Sequence, residues 1–247
     1  METLRHIGLE VATQQTRSRF AIDGRLPTDS IVVVRSPAMG ASVVLSFDSV
    51  GKRFDERVIF RGVSGRAEPA RVLVITGPNG SGKSTLLSIL CGLQRPTRGT
   101  VRYQRGDVEV PRALWRTMLG VVAPAMSVYE ELTGLENLRF FARVRGLTVD
   151  EAFLEGCLET VGLDPRRRTV ARGYSTGMQQ RLKIAQAMLH DPAVLFLDEP
   201  GSNLDPAGQD WLEDWVAERA EGGATVVLAT NDRREMEWGR DRVVLGA

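Results

Sequence analysis

The chain has 247 residues, with 32 Lys and Arg against 31 Asp and Glu, for a formal net charge of +1. That length suits one domain with a subdomain, and the charge balance excludes a nucleic-acid stripe or a polybasic membrane anchor. No apolar run approaches the roughly 18 residues that span a bilayer, and no secretory signal follows Met1. Cys91, Cys157, His6 and His190 are isolated from one another in sequence, which fits a reducing compartment and makes a zinc site unexpected.

Taken in order, residues 1–42 hold Arg17, Ser18, Arg19, Pro27, Pro37 and Gly40 with one apolar patch at Ile31–Val34. They are expected to form a poorly ordered extension. Strands are expected around Val43–Phe47 and Val58–Phe60. The β-branched run Val72–Thr76 reads as a buried parallel strand. It leads directly into Gly77-Pro78-Asn79-Gly80-Ser81-Gly82-Lys83-Ser84, a complete G-x-x-x-x-G-K-[ST] phosphate loop. The glycines let the loop curl so that N–H groups face phosphate oxygens, and the helix beginning near Lys83 adds its positive end. Lys83 supplies a point charge for the β- and γ-phosphates. Ser84 offers a hydroxyl to Mg²⁺, with Thr85 beside it. Leu86, Leu87, Ile89 and Leu90 make the helix apolar on its inner side.

Gly99–Tyr103 reads as another strand, and residues 124–189 read as mainly helical. Asn137–Arg145 and Glu151–Val161 are the clearest helices there, with Phe140 and Phe141 assigned to core packing. Arg166–Arg168 after Pro165 reads as a solvated turn. A helix with the apolar stripe Leu182, Ile184, Ala185, Met188 and Leu189 follows Tyr174-Ser175-Thr176-Gly177-Met178. Ala193–Leu197 is a second buried strand and ends in Asp198-Glu199-Pro200. Asp198 is placed to hold Mg²⁺ and Glu199 to polarise an attacking water. The alternative is an ordinary capped strand-to-turn junction. A helix near Pro206–Glu221, a strand at Thr225–Ala229 and a terminal strand near Val243–Leu245 complete the chain, with Trp211, Trp215 and Trp238 expected to pack.

Four segments occur in a fixed order: GPNGSGKST at 77–85, YSTGMQQR at 174–181, LFLDEP at 195–200 and SNLD at 202–205. Over roughly Val43 to Leu245 the chain resembles the ATP-binding subunit of ABC transporters. The resemblance implies an α/β fold: a P-loop NTPase with a RecA-like core, an antiparallel β-subdomain and an inserted helical subdomain at about 124–189, the whole at 43–247. It also implies an ATPase that binds ATP and Mg²⁺ between two copies, or between this chain and a paralogue. Ser175 and Gly177 would face the γ-phosphate held by the opposite copy, and Asp205 of the Ser202–Asp205 loop would lie across that interface. Phe54 stands where the family stacks an aromatic on adenine, although an ordinary core Phe would read the same way. Met39 stands where a family member is expected to start, so the natural chain is expected to begin there.

Tyr174, Thr176 and Met178 depart from the family's signature consensus, and two further departures bear on the chemistry. Pro124 replaces a Gln that senses Mg²⁺ and the membrane partner, and it offers no side-chain ligand and no N–H. Asn231 replaces a His that contacts the γ-phosphate; it donates a hydrogen bond but cannot become a cation. Both bear on hydrolysis more than on binding. The loops VVAP, YEELT, DEPGSNLD and ATND are also similar to haem-exporter subunits of cytochrome c biogenesis (CcmA-like). The expected role is therefore an ATPase on the cytoplasmic face of the cell membrane that drives an exporter through a separate transmembrane permease, with no nucleic-acid partner. The competing role is an ATP-dependent dimerising module with little hydrolysis. A chromosome or repair ATPase would need coiled-coil heptads, and none are sustained here.

Overall fold

The computed structural model describes Val11–Ala12, Val33–Val34 and residues 42–246. The expectations for the extension and for Met39 otherwise lie outside the described residues. β1 (Val11–Ala12) and β2 (Val33–Val34) pair antiparallel.

Strands with nearly unbroken apolar sequence are buried on both faces, which is the condition of a parallel sheet covered on two sides. Here they are β5 (Arg71–Thr76), β8 (Leu119–Val122), β9 (Val194–Asp198) and β10 (Thr225–Ala229); β11 (Asp241–Val244), with Arg242 and Val244 exposed, adds an edge strand, and the order is β11-β5-β10-β9-β8, all parallel. Successive side chains in a strand point to opposite faces, and this alternation divides the core. Val72, Val74, Leu195, Leu197, Val226 and Leu228 belong to one buried cluster. Leu73, Ile75, Phe196, Val227 and Ala229 belong to the other.

The second cluster is closed by α1 (Lys83–Leu90) and by an antiparallel sheet. That sheet has the order β4-β3-β6-β7, from β3 (Val43–Phe54), β4 (Arg57–Ala67), β6 (Arg98–Arg105) and β7 (Val108–Glu109). The first cluster is closed by helices, beyond the short α2 (Trp115–Met118): α3 (Gly134–Val144), α4 (Glu151–Thr160), α5 (Thr176–Met188) and α6 (Pro206–Glu221). α3 to α5 fall within the stretch expected to be helical.

Three sequence expectations need correction. β3 and β4 run 12 and 11 residues, well beyond Val43–Phe47 and Val58–Phe60. Register shifts between Phe47 and Arg53 break the alternation by which a strand is recognised. α3 starts at Gly134, three residues before Asn137, because Thr133 and Glu136 form a reciprocal capping box. Phe140 is not a core residue: it is 37% exposed and meets Tyr129 edge-on at 4.6 Å. Phe141 packs partly buried against the helical core, as does Trp211, while Trp215 is buried.

Candidate active site at the carboxyl edge of the parallel sheet

In register, Ala229 lies between Ile75 of β5 and Asp198 of β9. Three connections therefore leave the sheet at one height: the phosphate loop, the Thr230–Asn231 turn and the Asp198–Glu199 turn. Open parallel sheets bind ligands at this edge.

The phosphate loop keeps its shape through glycine. Gly77, Gly80 and Gly82 have φ of 147°, 80° and 99°. A Cβ at Gly77 would stand 2.4 Å from the Leu245 carbonyl oxygen, and one at Gly82 would stand 2.5 Å from Ile59 Cγ2. Pro78, Asn79 and Gly80 form the exposed crest. Gly82 caps α1 without any side-chain hydrogen bond, so the first N–H groups of the helix stay open to an anion. Lys83 is buried, and its Nζ donates to the carbonyls of Gly77 at 3.0 Å and Pro78 at 3.4 Å. Ser81 Oγ is buried without a hydrogen-bond partner. Thr85 is half-buried in the first turn of α1.

Asp198 is 4% exposed at the end of β9. Burial raises its pKa; a hydrogen bond with the Ser84 side chain opposes that rise, Glu199 adds to it, and Lys83 opposes it. Its Oδ1 is buried with no hydrogen-bond donor. A buried carboxylate oxygen without a partner is costly unless a cation meets it. Ser84 and Asp198 thus fit a hard divalent cation such as Mg²⁺, which takes oxygen ligands. Glu199 adopts φ of 48°, a left-handed conformation uncommon for a residue with a Cβ, and its N–H donates to the Ala229 carbonyl at 2.8 Å. Its side chain is half-buried.

Asn231 Nδ2 donates to Asn79 Oδ1, closing the turn after β10 onto the crest of the phosphate loop. Phe54, at the end of β3, is 45% exposed with Lys52 Nζ at 4.6 Å from its ring centroid. The reading of Phe54 as a core residue is thereby corrected.

Ser175, Gly177 and Asp205 gather in a second cluster. Ser175 caps α5, its hydroxyl accepting the Met178 N–H at 3.2 Å. A Cβ at Gly177 would lie 3.0 Å from the Asn203 carbonyl oxygen, so the start of α5 rests on the Ser202–Asp205 loop. Asp205 caps α6, accepting the Gly208 N–H at 2.9 Å. Tyr174, where the family pattern differs, is buried and accepts the Gly134 N–H on its hydroxyl at 3.2 Å, tying α5 to α3. Pro124 is exposed just beyond β8, which pairs with β9, and therefore stands at the same edge as Asp198.

Two buried polar residues escaped the sequence reading. Gln180 donates Nε2 to the Pro200 carbonyl at 2.8 Å, and Glu235 accepts the Gly201 N–H at 2.9 Å. Gln180 carried a faint signal, a polar residue one turn before Ile184 on a buried helix face. Glu235 carried none.

Among the described residues, no helix is long and apolar enough to cross a membrane. Residues 60–202 match the family model described as ABC transporter. The chain is 37% identical over 83% of its length to an uncharacterised ABC transporter ATP-binding protein, YdbJ, of Bacillus subtilis. It is 34% identical over 82% of its length to the daunorubicin resistance ATP-binding protein DrrA3 of Streptomyces coeruleorubidus. It spans 67% and 65% of those two relatives' own lengths. A solved ATP-binding subunit of an ABC transporter superposes with a TM-score of 0.71 at 26% identity, over 82% of this chain and 85% of that one. By these matches the chain belongs to the ABC transporter family.

Proposed function

We propose that this chain is the ATP-hydrolysing motor subunit of an exporter. The observation that carries the reading is the orphaned, buried Oδ1 of Asp198 beside the Ser84 hydroxyl, at the foot of a phosphate loop whose helix N-terminus is uncapped. ATP would place its β- and γ-phosphates against the loop N–H groups of residues 77–85. Lys83 would exchange its two carbonyl partners for phosphate oxygens, and Phe54 would offer its exposed ring to adenine. Ser84 and Asp198 would hold Mg²⁺, whose contribution is to neutralise charge on the transferring phosphoryl group. Among the described residues no group of three His, Cys, Asp or Glu is placed to cage a metal, so Mg²⁺ would depend on phosphate and water as well as on Ser84 and Asp198.

Glu199 would orient the attacking water and draw off its proton. Asn231, already on the loop crest, would donate a hydrogen bond to the terminal phosphate. A second copy or a paralogue would present Ser175 and Gly177 to the same phosphate, with its Asp205 at the interface. The uncapped phosphate-loop helix and the exposed turn at Ser175 suit such head-to-tail closure. Opening and closing would move α3 to α5 and act on a membrane permease, which Tyr129, Phe140 and Val144 are exposed to meet.

Export is supported by the resistance function in the name of the Streptomyces relative. Haem as cargo, read from loop resemblance, gains no support from the relatives described above. The lesser reading, a dimerising module with slow hydrolysis, draws on Pro124 and on the absence of a cationic side chain at Asn231. Two measurements test the proposal. Purified full chain should release phosphate from ATP only with Mg²⁺. Affinity purification from detergent-solubilised membranes should also recover a multi-span protein in stoichiometric amount. Phosphate release at background with a soluble partner, or none, would favour the dimerising module.

A further inference from the structure

The two residues after Glu199 are gripped from opposite sides. Gln180, 5% exposed on α5, donates to the Pro200 carbonyl, and Glu235, also 5% exposed, accepts the Gly201 N–H on Oε1. A Cβ at Gly201 would stand 2.4 Å from that same Oε1, so glycine is what lets the carboxyl approach the backbone. Burial raises the pKa of the Glu235 carboxyl, and the nearby Thr230 side chain and the Gly201 N–H oppose that rise. Thr230 donates its own N–H to the Ile75 carbonyl at 3.1 Å and immediately precedes Asn231. Asp232 Oδ1 accepts the N–H groups of Arg234 at 2.7 Å and Glu235 at 3.3 Å, fixing where the Glu235 side chain begins.

One buried carboxyl therefore holds the backbone after Glu199, and its own backbone is anchored through Asp232 to the turn that carries Thr230 and Asn231. Through Pro200 the same backbone is tied to the helix that Ser175 caps. Burying a carboxyl and an amide is costly, and here the Gly201 N–H meets one carboxyl oxygen while Glu235 Oε2 is buried without a hydrogen-bond partner. Glu199 itself holds φ of 48°, and such a conformation persists where the surroundings over-determine it.

We propose that Glu235 is a positioning residue that, with Gln180, holds Glu199 in its left-handed backbone conformation and couples it to the Asn231 turn and to α5. This rests on the reading of Glu199 as the residue that orients water. Neither Glu235 nor Gln180 touches the nucleotide in that reading; both act through the Pro200-Gly201 backbone.

The test uses the purified full chain, with steady-state ATPase kinetics, binding of a fluorescent ATP analogue and thermal melts on each variant. Glu235→Ala should lower kcat by on the order of 10- to 100-fold through misplacement of Glu199, with KM and analogue affinity within about twofold. Glu235→Gln keeps an oxygen for the Gly201 N–H and should restore kcat to within about threefold of wild type. Wild-type kcat in Glu235→Ala, or a parallel loss of kcat and affinity that Glu235→Gln does not rescue, overturns the proposal. If Glu235→Ala does not fold, Gly201→Ala decides by the same split, since its Cβ displaces the Glu235 carboxyl. Glu199→Gln measured alongside separates the two readings. Full activity in Glu199→Gln refutes the role of Glu199; abolished activity there with full activity in Glu235→Ala refutes only the positioning role.

Discussion

Replacing Lys83 with Ala removes the one ammonium buried in the phosphate loop. In the structure that ammonium donates to the carbonyls of Gly77 and Pro78, at 3.0 and 3.4 Å. ATP binding trades those neutral acceptors for ionised phosphate oxygens. Both sets of bonds are charge-assisted by the ammonium, so the gain on binding comes from the ionic attraction of the phosphate. The Coulomb attraction of unit charges about 4 Å apart near a protein surface is of order 4 kcal/mol before desolvation. The carbonyl bonds given up and the partial dehydration of the phosphates offset part of this. A net loss of about 2–3 kcal/mol remains, which is roughly 30- to 150-fold in affinity. Stability should change little, because Ala is the stronger helix former at the start of α1 and the loop shape depends on its glycines. The assay is a titration of a fluorescent ATP analogue with Mg²⁺ present, paired with a circular-dichroism melt. A Kd within twofold of wild type, in a variant that melts normally, would refute the phosphate-cradle reasoning.

Phe54→Ala should weaken ATP by about 5- to 150-fold, from a stacking contribution of about 1–3 kcal/mol per base, while this half-exposed position leaves the melt nearly unchanged; unchanged affinity would remove the ring from the site. Asp198→Asn should abolish Mg²⁺-dependent hydrolysis yet raise the melting temperature of the nucleotide-free chain. Burial lifts the pKa of Asp198 above its unfolded value, so the folded state binds more protons and the ionised group opposes folding at every pH above the folded pKa. Each kcal/mol recovered is worth about 2–4 °C in a domain of this size, and a lower melt would contradict the burial argument. His190 has its pKa pushed down to about 4, first by burial and then by Arg145, against opposing effects of the Leu119 carbonyl and Asp191. The unfolded chain then binds more protons between about pH 6.5 and 4, so His190 costs stability as pH falls through that window. His190→Gln should flatten this loss relative to wild type, and an unchanged difference between pH 7 and pH 4.5 melts would sink the idea.

The parts of the site legible in sequence are those made by contiguous residues. The strand, the phosphate loop and the first turn of α1 are local, and so are Asp198 and Glu199 at the end of an apolar run. Their convergence is not local, because it depends on Ala229 lying between Ile75 and Asp198 in register. β3 and β4 were half hidden because bulges reset their alternation. Phe140 and Phe141 could not both face the core, since adjacent residues on a helix do not share a face; Phe141 took the inward position. Glu235 was illegible because its role arises from Gly201 and Thr230, which approach it only in the folded chain. Pro124 and Asn231, read as departures from the family, both lie at the carboxyl edge. Asn231 keeps a hydrogen bond to the phosphate loop through Asn79.

The most direct test of the central claim is the Glu199→Gln variant, examined for ATP turnover and for oligomeric state with and without Mg²⁺-ATP. The account predicts that the variant binds ATP with near wild-type affinity, hydrolyses it at background rate, and accumulates as an ATP-loaded dimer seen by light scattering. Wild-type turnover, or a chain that remains monomeric with ATP bound in both proteins, would contradict it.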